Sequence, residues 1–435
     1  MDTLSVKSNY MKRSLNYRLD SEWWDYFLEK TADLRRPAIC KNVLSGDERN
    51  WFEQALLELV STRTRDDSQK LRLYIEGNLM NTGYLYDNFF PNLPDGRESI
   101  LQWLQRTFGD VKFALLINNC ELMNDTIPTA VVRYLSPLLE KTGLPCNGLQ
   151  IDAIIGNYGY TPFGIHRDNI GDAIFHFHLG PAPKHMYTWE TGYYLNTLHG
   201  RQNEQDIESF IPFANKFEIT EGDVYYMPWT EYHVGYTPEI SMSVTVTIQS
   251  GIKTNLVSNM LKQLSADLLV SADQGHLASE KTPSSPRAFS RLDKELDRNP
   301  LWNEYSFYDA LKLTYDKFLL KLGSNCGMHA GVSARGDQNP IERTGDWFKD
   351  RSISVNDPFP IFWREHSEGL MEIYARGHDF VLAKETLVET MIRRLNDGGP
   401  YSYSSLLENT GEGNSEKRAL ELLNRLYALK AIVVE

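Results

Sequence analysis

Residues 166–189 form the stretch HRDNIGDAIFHFHLGPAPKHMYTW, which decides the fold of this chain. Residues 173–179 are mostly apolar and aromatic, a Gly-Pro-Ala-Pro segment follows at 180–183, and residues 184–189 are again rich in aromatic side chains. Apolar and aromatic segments separated by Gly and Pro are typical of strands joined by a turn. The stretch therefore predicts strand, turn and strand directly after a His-x-Asp triplet.

The sequence on both sides of this stretch has the same character. Residues 149–155 alternate in the way of a strand, and a loop rich in Gly and Tyr follows at 156–162. Further along, a Gly-Asp turn leads into residues 224–229, and residues 240–248 alternate as a closing strand. Short antiparallel strands in this order predict a mostly β core, a jelly roll or double-stranded β-helix, with flanking helices.

Three side chains of this region form the ligand pattern of a metal site. Residues two apart in a strand point to the same side, so we expect His166 and Asp168 to reach one ion while Arg167 points away. His233, from a later strand, would complete the set. Two imidazoles and one carboxylate on one face are typical of non-haem Fe(II) oxygenases, which leave the opposite face of the metal open.

The triplet alone is a weak signal. With 10 His and 58 acidic residues in 435, about one His-x-Asp/Glu triplet is expected by chance. One such accident is His366-Ser367-Glu368, which lacks the surrounding strand pattern.

The chain resembles the JmjC-type cupin oxygenases, which depend on Fe(II) and 2-oxoglutarate. Beyond the triad, the resemblance is carried by Lys184, 18 residues after His166, and by Phe163, three residues before it. His176 and Thr245 stand at two further family offsets, and residues 222–233 match the family's Gly-Asp and Pro approach to the last His. The resemblance covers roughly residues 90–255. It implies a site with Fe(II), 2-oxoglutarate as cosubstrate and O2.

Lys184 has a physical reason to belong to this site. A 2-oxoglutarate molecule that chelates a metal through its keto acid leaves a second carboxylate deeper in the barrel. Burying that carboxylate is costly without a cation and hydroxyl donors, which Lys184 and Thr245 would supply. We expect one of His176 and His178 to line the pocket and the other to be a hydrogen-bonded barrel residue.

Composition excludes several classes of protein. The net charge of −13 and the pI of 5.3 argue against broad binding to nucleic acid. The four Cys residues have no CxxC spacing, so neither a zinc site nor a disulfide framework is expected. The first residues lack an apolar signal core and no run approaches 18 apolar residues. We therefore expect a cytoplasmic location and no membrane partner.

The pattern divides the chain into four parts. Residues 1–90 are expected to form a helical and β lead-in, and residues 91–255 the catalytic domain. Residues 256–349 carry helical patterns at 255–272 and 300–322, separated by a Ser/Pro-rich loop at 271–287. Their apolar positions, in Leu256, Val257, Met260, Leu261 and Leu264, predict either packing on the barrel or a homodimer.

Residues 350–435 are expected to form a separate α+β module. A hairpin is predicted around Gly369, ending at Gly377, followed by helices near 384–396, 403–408 and 415–429 and a terminal strand at 431–434. This order is similar to a winged helix, and the overall layout weakly resembles the ribosomal oxygenases, a JmjC subfamily. Seven Lys/Arg against eight Asp/Glu in 381–435 favour a scaffold or substrate-protein role over DNA binding.

The resemblance implies a dioxygenase that couples oxidative decarboxylation of 2-oxoglutarate to hydroxylation of a side chain in a protein or peptide. Three alternatives stay open at this point. They are demethylation of N-methyl-lysine, hydroxylation of a small molecule such as an amino acid or natural product, and a non-enzymatic cupin binding module.

Overall fold

The computed structural model describes residues 19–251, 253–268, 306–329, 343–367, 369–408 and 415–435. The predicted loop at 271–287 and the end of the helix predicted for 255–272 lie outside these ranges. No helix in the described ranges has the length and apolar character needed to cross a membrane.

The described strands are numbered in chain order. They are β1 (Ala38–Cys40), β2 (Leu71–Ile75), β3 (Asn78–Leu79), β4 (Phe113–Ile117), β5 (Leu149–Gly156), β6 (Gly159–Tyr160), β7 (Asp172–Pro181), β8 (Lys184–Glu190), β9 (Asn215–Ile219), β10 (Val224–Pro228), β11 (Glu231–Thr237), β12 (Ser241–Gln249), β13 (Ser352–Val355), β14 (Phe362–Ser367), β15 (Leu370–Ala375), β16 (His378–Ala383), β17 (Tyr401–Ser402) and β18 (Ile432–Val434).

The described α-helices are numbered in the same way. They are α1 (Ser21–Lys30), α2 (Gly46–Ser61), α3 (Thr82–Tyr84), α4 (Ile100–Phe108), α5 (Thr126–Thr142), α6 (Lys253–Leu268), α7 (Phe307–Ser324), α8 (Gly345–Lys349), α9 (Thr386–Asn396), α10 (Tyr403–Leu407) and α11 (Ser415–Ala428). Short 3-10 or π turns occupy Arg65–Lys70, Leu85–Phe89, Phe90–Asn92, Cys120–Leu122, Tyr193–Thr197 and Ile211–Phe213.

Two antiparallel sheets form the core of the fold. One has eight strands in the order β1-β10-β7-β12-β5-β4-β2-β3, and the other has four in the order β6-β11-β8-β9. β7 and β8 follow each other through the predicted turn yet belong to different sheets. The mostly β core with flanking helices agrees with the prediction. The lead-in supplies both edges of the large sheet, through β1 on one side and β2 and β3 on the other.

Alternation along the central strands separates an apolar face from a polar one. In β7, Phe175 and Phe177 belong to the main hydrophobic cluster, together with side chains from helices α1, α2, α4 and α5. The residue between them, His176, lines a cavity on the opposite face with Thr245 of β12. Burying each Phe contributes roughly 1.5–3 kcal/mol, so helix packing on the outer face leaves the inner face available for polar groups.

Helix α2 shows how local sequence fixes an element. Ser45 is its N-cap: its Oγ accepts a hydrogen bond from the Glu48 backbone N–H, and the Glu48 carboxylate accepts one from the Ser45 N–H. This capping box satisfies two donors that the first helical turn leaves unpaired. The predicted helix from Ser45 through Val60 is therefore confirmed, with Gly46–Ser61 as its bounds.

The C-terminal residues form two further antiparallel sheets. One contains β17, β13 and β18, and the other is a meander of β14, β15 and β16. The predicted hairpin is thus a three-stranded sheet, because the chain turns at Arg376-Gly377 and continues into β16. Helices α9, α10 and α11 enclose a separate hydrophobic cluster. Whether this module is a winged helix stays a prediction.

Arg376 connects the C-terminal residues to the rest of the protein. Its side chain is buried and donates to the Asp125 carboxylate at 2.6 Å and to Asn325 Oδ1 at 3.0 Å. Asp125 precedes helix α5, and Asn325 follows helix α7. One guanidinium therefore joins the helices that cover the barrel, the helical segment and the meander, which positions these parts relative to one another.

Candidate metal and cosubstrate site

The two predicted imidazole ligands lie side by side. His166 and His233 exchange two backbone hydrogen bonds, of 3.0 Å and 2.8 Å, in an isolated antiparallel bridge. Their rings are 4.1 Å apart between centroids. His233 belongs to β11, whereas His166 is part of the bridge alone. The backbone bridge between His166 and His233 therefore fixes the positions of the two imidazoles relative to each other.

Asp168 lies beside these two histidines, but not on the strand that was predicted for it. It was expected on a strand with His166, but it lies in an irregular segment before β7. The chain leaves the bridge after His166 because Arg167 pairs through its backbone with the side chain of Gln202, at 3.1 Å and 3.0 Å. The Asp168 carboxylate oxygens nevertheless lie 4.0 Å from His166 Nε2 and 3.7 Å from His233 Nε2.

The donor set fits a divalent metal ion. One ligand atom from each of His166, Asp168 and His233 lies within 4.8 Å of the others, and this is the one such cluster found in the described residues. Both imidazoles turn Nδ1 toward a backbone carbonyl, His166 to Gly164 at 3.0 Å and His233 to Glu231 at 3.4 Å. An Nδ1–H that donates to a carbonyl leaves the Nε2 lone pair for a metal, the usual arrangement around metal-bound histidine.

The pKa shifts of the three side chains also fit a metal site. Burial lowers the pKa of His166 to about 3 and that of His233 to about 4, so both rings are neutral at physiological pH. Burial raises the pKa of Asp168. A half-buried carboxylate beside two neutral imidazoles lacks a compensating positive charge, which a metal ion would supply. Two imidazoles and one carboxylate suit Fe(II) with open coordination positions.

A cavity of about 140 Å³ extends from these ligands between the two sheets. All of the predicted site residues line it: His166, Asp168, His233, Lys184, Thr245, His176 and Phe163. The Phe163 ring meets the His166 ring edge to face at 4.5 Å. Thr245 also lines the cavity, and its hydroxyl donates one long hydrogen bond of 3.4 Å to the Asp152 carbonyl. The structure thus brings the predicted residues into one space.

Lys184 is a buried cation without an anionic partner. Lys184 is 3% exposed, and within the described ranges its side chain makes no ion pair or hydrogen bond. Its ammonium stands 6.0 Å from the centre of the Tyr158 ring. The stem passes over Gly235, where an added Cβ would be 3.1 Å from Lys184 Cε. Lysine is almost never buried unpaired, so this cation calls for an anion in the cavity.

His176 is a second buried group without a partner. Both of its ring nitrogens are buried and have no hydrogen-bond partner in the described part of the protein, and burial lowers its pKa well below the usual value. His178, two residues on, contacts Ser243 Oγ at 3.1 Å and the Ala182 carbonyl at 2.9 Å. The expectation that one of these histidines lines the pocket and the other is satisfied is confirmed.

Asp223, in the predicted Gly-Asp turn, has a structural role. Its carboxylate is fully buried and accepts hydrogen bonds from the backbone N–H groups of Asn42 and Thr220 and from Lys41 Nζ. It therefore fastens the end of β1 to the turn that begins β10. This bracing holds β10 in the large sheet and leads the chain toward His233.

Several polar residues of the cavity wall were not predicted from the sequence, among them Arg72, Asn118 and Asp152. Arg72, Asn118 and Asp152 line the cavity from β2, from the residue after β4 and from β5. Arg72 donates to Asn118 Oδ1 at 3.0 Å, and Asp152 accepts from the Gln150 side chain and the Asn119 N–H. The available signal was an Arg and an Asp at alternate positions of otherwise apolar strands.

Sequence comparison gives no relatives for this chain. No protein-family model matches it, and no curated protein matches it by sequence.

Comparison with solved structures finds ribosomal oxygenases. The chain is similar to YcfD, a ribosomal oxygenase from Escherichia coli, at 14% identity and a TM-score of 0.49, with 95% of this chain and 98% of the other covered. Structures of YcfD with cobalt and succinic acid and with cobalt and 2-oxoglutarate each give 16% identity and a TM-score of 0.49, covering 97% of this chain and 99% of the other. At this level of similarity, the assignment of function depends on the residues of the site itself.

Proposed function

We propose that this chain is an Fe(II)- and 2-oxoglutarate-dependent oxygenase that hydroxylates a side chain of a protein or peptide. The observation that carries the proposal is a single cavity that contains both a set of metal ligands and an unpaired buried lysine. At one place three metal-ligating side chains lack a cation, and elsewhere in the same cavity Lys184 lacks an anion. A metal ion together with a dicarboxylate that chelates it satisfies both needs at once.

Each residue of the cavity has a role in this proposal. His166, Asp168 and His233 would hold Fe(II) on one side, and the carbonyls of Gly164 and Glu231 would orient the two rings. Lys184 would pair with the distal carboxylate of 2-oxoglutarate, with Thr245 as a hydroxyl donor. His176 would give a ring N–H to the same molecule, and Phe163 would hold the His166 ring in place.

The bound metal, with 2-oxoglutarate and O2, supplies oxidative decarboxylation coupled to hydroxylation of a C–H bond. The protein contributes orientation and exclusion of water. Met186 and Met227 line the cavity from strands of both sheets and present apolar surface around the polar groups. A dry wall strengthens the interaction of Lys184 with a carboxylate, because water no longer competes for either charge.

Anaerobic binding followed by a single exposure to oxygen tests the proposal. We expect the metal-free protein to bind Fe(II), then 2-oxoglutarate, and then to release succinate once O2 is admitted. A protein that binds Fe(II) but neither binds nor converts 2-oxoglutarate would instead be a cupin binding module. Mapping of oxygen incorporation in peptides from treated lysate distinguishes protein hydroxylation from demethylation and from small-molecule chemistry.

We also propose that helices α6 and α7 pair two subunits. The helices pack on each other, and Met260 and Leu264 of α6 are buried within the chain. Val257 and Leu261 on the same helix are 52% and 40% exposed, and Tyr308 of α7 is 73% exposed. Light scattering should give about 100 kDa, twice the chain mass of 50.0 kDa. A mass near that of one chain at micromolar concentration would contradict the dimer.

The C-terminal module would serve as a scaffold for the substrate protein. Its hydrophobic cluster is its own, and Arg376 attaches it to the helices of the barrel. Its nearly balanced charge is unsuited to broad binding of phosphates.

A further inference from the structure

The three proposed metal ligands are held in place in different ways. The rings of His166 and His233 are each oriented by a backbone carbonyl that faces Nδ1. The Asp168 carboxylate lies beside these rings, but no group in the described ranges donates a hydrogen bond to it. Asp168 also lies outside the strands. Its position therefore depends on how the main chain on either side of it is anchored.

The side chain of Gln202 anchors the main chain directly before Asp168. Its Oε1 accepts a hydrogen bond from the Arg167 N–H at 3.1 Å, and its Nε2 donates one to the Arg167 carbonyl at 3.0 Å. In an antiparallel sheet, two opposite residues exchange the same pair of bonds. One carboxamide thus replaces a neighbouring strand for Arg167, at the point where the bridge between His166 and His233 ends.

Gln202 is exposed, but it belongs to a loop, residues 201–206, that is fixed against the ligand segment. Glu204 and Ile165 exchange two backbone hydrogen bonds, of 2.9 Å and 3.1 Å. Arg201 Nε donates to the Glu204 carboxylate at 2.8 Å, which closes the turn of the loop around Gln202. Because the residues on both sides of Gln202 are held, its carboxamide has a defined position.

The other anchors of this segment are of a different kind. After Asp168, the Asn169 carbonyl accepts from the Asp172 N–H at 3.1 Å, a contact within the same short segment. The Arg167 guanidinium lies 5.5 Å from the centre of the Tyr232 ring, a contact that holds the side chain and not the main chain. Within the described part of the protein, the N–H and the C=O of Arg167 are bonded only to the carboxamide described above.

We propose that Gln202 is a positioning residue of the metal site, which raises the affinity for the ion by holding Asp168 beside the two histidines. The inference rests on the proposed function and gives a role in it to a loop outside the barrel strands. Without the carboxamide, the main chain around Arg167 can rotate. The Asp168 carboxylate would then leave its place 4.0 Å from His166 Nε2 and 3.7 Å from His233 Nε2. Partners that orient a metal ligand typically contribute about 10–100-fold to metal affinity.

A titration of the full-length, metal-free protein with Co(II) tests the inference. Co(II) stands in for Fe(II), and its visible absorption depends on its ligands, so one titration gives both the Kd and the coordination. Gln202→Met, which keeps the length of the side chain and removes both hydrogen bonds, should raise the Kd about tenfold to a hundredfold. Gln202→Glu should also raise it, because its second oxygen would face the Arg167 carbonyl in place of an N–H donor.

Hydrogen exchange in the metal-free protein separates positioning from a general loss of structure. Both Gln202 variants should speed exchange in peptides that cover residues 165–170, where the Arg167 N–H loses its acceptor, while the urea midpoint of unfolding stays at the parental value. Gln205→Met is the matched control, because among described groups the Gln205 side chain bonds only to the Asn203 carbonyl of its own loop. It should leave the Co(II) Kd and the exchange rates unchanged.

Three results would overturn the inference. The first is a Co(II) Kd within about threefold of the parental value in both Gln202 variants. The second is an equal rise in the Kd in Gln205→Met, and the third is a rise in the Kd of the Gln202 variants without faster exchange in residues 165–170. Should Gln202→Met fail to fold, Gln202→Glu, which keeps one of the two hydrogen bonds, carries the same test.

The outcomes also separate this inference from the proposed function, because Co(II) affinity and hydrogen exchange do not require turnover. A parent protein that binds Co(II) with an affinity that depends on Gln202, yet releases no succinate, would keep the role of Gln202 and remove the oxygenase. Succinate release by the parent together with parental Co(II) affinity in both Gln202 variants would do the reverse. A parent protein that binds no Co(II) would overturn both.

Discussion

The barrel cavity and the C-terminal meander both bury charged side chains, but only the meander pairs them. Glu372 of β15 is 2% exposed and accepts hydrogen bonds from Arg364 at 2.6 Å and Tyr374 at 2.6 Å, with Lys317 Nζ at 3.0 Å. Lys184 is buried to the same degree and has no partner among the described residues. Paired buried charges belong to the fold, whereas an unpaired one indicates a place that a ligand completes.

The pKa of Glu372 reflects its pairing. Burial opposes ionisation, but the hydrogen bonds from Tyr374, Arg364 and Lys317 outweigh it and lower the pKa to about 2. In the cavity, burial is unopposed at His176, whose pKa is lowered well below its ordinary value. Glu372 is therefore held in its charged form and His176 in its neutral form, because the fold supplies counter-charges to Glu372 alone of these two.

The largest effect is expected for His166→Ala. This variant removes one of three metal ligands, and we expect it to lose both retention of Fe(II) and conversion of 2-oxoglutarate. Metal content after gel filtration and succinate release measure the two losses. Stoichiometric iron together with parental turnover in this variant would mean that the metal site lies elsewhere.

Lys184→Ala tests the unpaired cation. Without Lys184 the cosubstrate carboxylate would be buried alone, which typically costs about 3–5 kcal/mol, so the KM for 2-oxoglutarate should rise at least about a hundredfold. Affinity for Fe(II) should be nearly unchanged, because Lys184 is not a ligand. Steady-state kinetics and an iron titration measure the two quantities.

Lys184→Met is the matched control for packing. It keeps most of the buried stem and removes the charge, so we expect the same rise in the KM for 2-oxoglutarate without a fall in the unfolding free energy of the cosubstrate-free protein. A change in KM below about threefold in both variants would show that another group binds the carboxylate.

The offsets that allowed the sequence to predict the site have a structural cause. His176 and Thr245 are direct cross-strand neighbours in the pair β7 and β12. Lys184 begins β8, the strand that pairs with β11, where His233 lies. Because strand register fixes these relations, constant spacings along the chain become constant positions in the cavity.

Residues outside this register were predicted from a wrong argument or not at all. Asp168 lies beside His166 and His233 but in an irregular segment, so the strand argument placed it with these two histidines for the wrong reason. Arg72 and Asp152 meet only because β2, β4 and β5 are neighbours in the large sheet, an order that no local pattern encodes. Strand β16 was missed because it begins with the polar residues His378 and Asp379, which resemble a loop.

Glu372→Gln tests the paired charges of the meander through the pH dependence of stability. A carboxyl group whose folded pKa is about 2, below its ordinary value of 4.5, adds stability above pH 4.5 that is lost as pH falls toward 2. We expect the variant to be less stable than the parent by at least about 2 kcal/mol at neutral pH, since charged hydrogen bonds are lost. The difference should shrink in acid, as measured by urea unfolding at a series of pH values. A difference that does not depend on pH would contradict the assigned pairing.

The smallest effects should come from two histidines of the same strand, and they give the sharpest form of the comparison. His178→Leu leaves Ser243 Oγ and the Ala182 carbonyl without their buried partner, so it should lower the unfolding free energy by about 1–3 kcal/mol with little change in the KM for 2-oxoglutarate. His176→Leu removes a ring that bonds to no described residue, so stability should hold or rise slightly. Its KM should increase about tenfold, the equivalent of one lost hydrogen bond to the cosubstrate. Urea unfolding and steady-state kinetics on both variants decide the matter. Equal losses of stability would show that the His176 ring serves the fold, and an unchanged KM would remove it from the cosubstrate site.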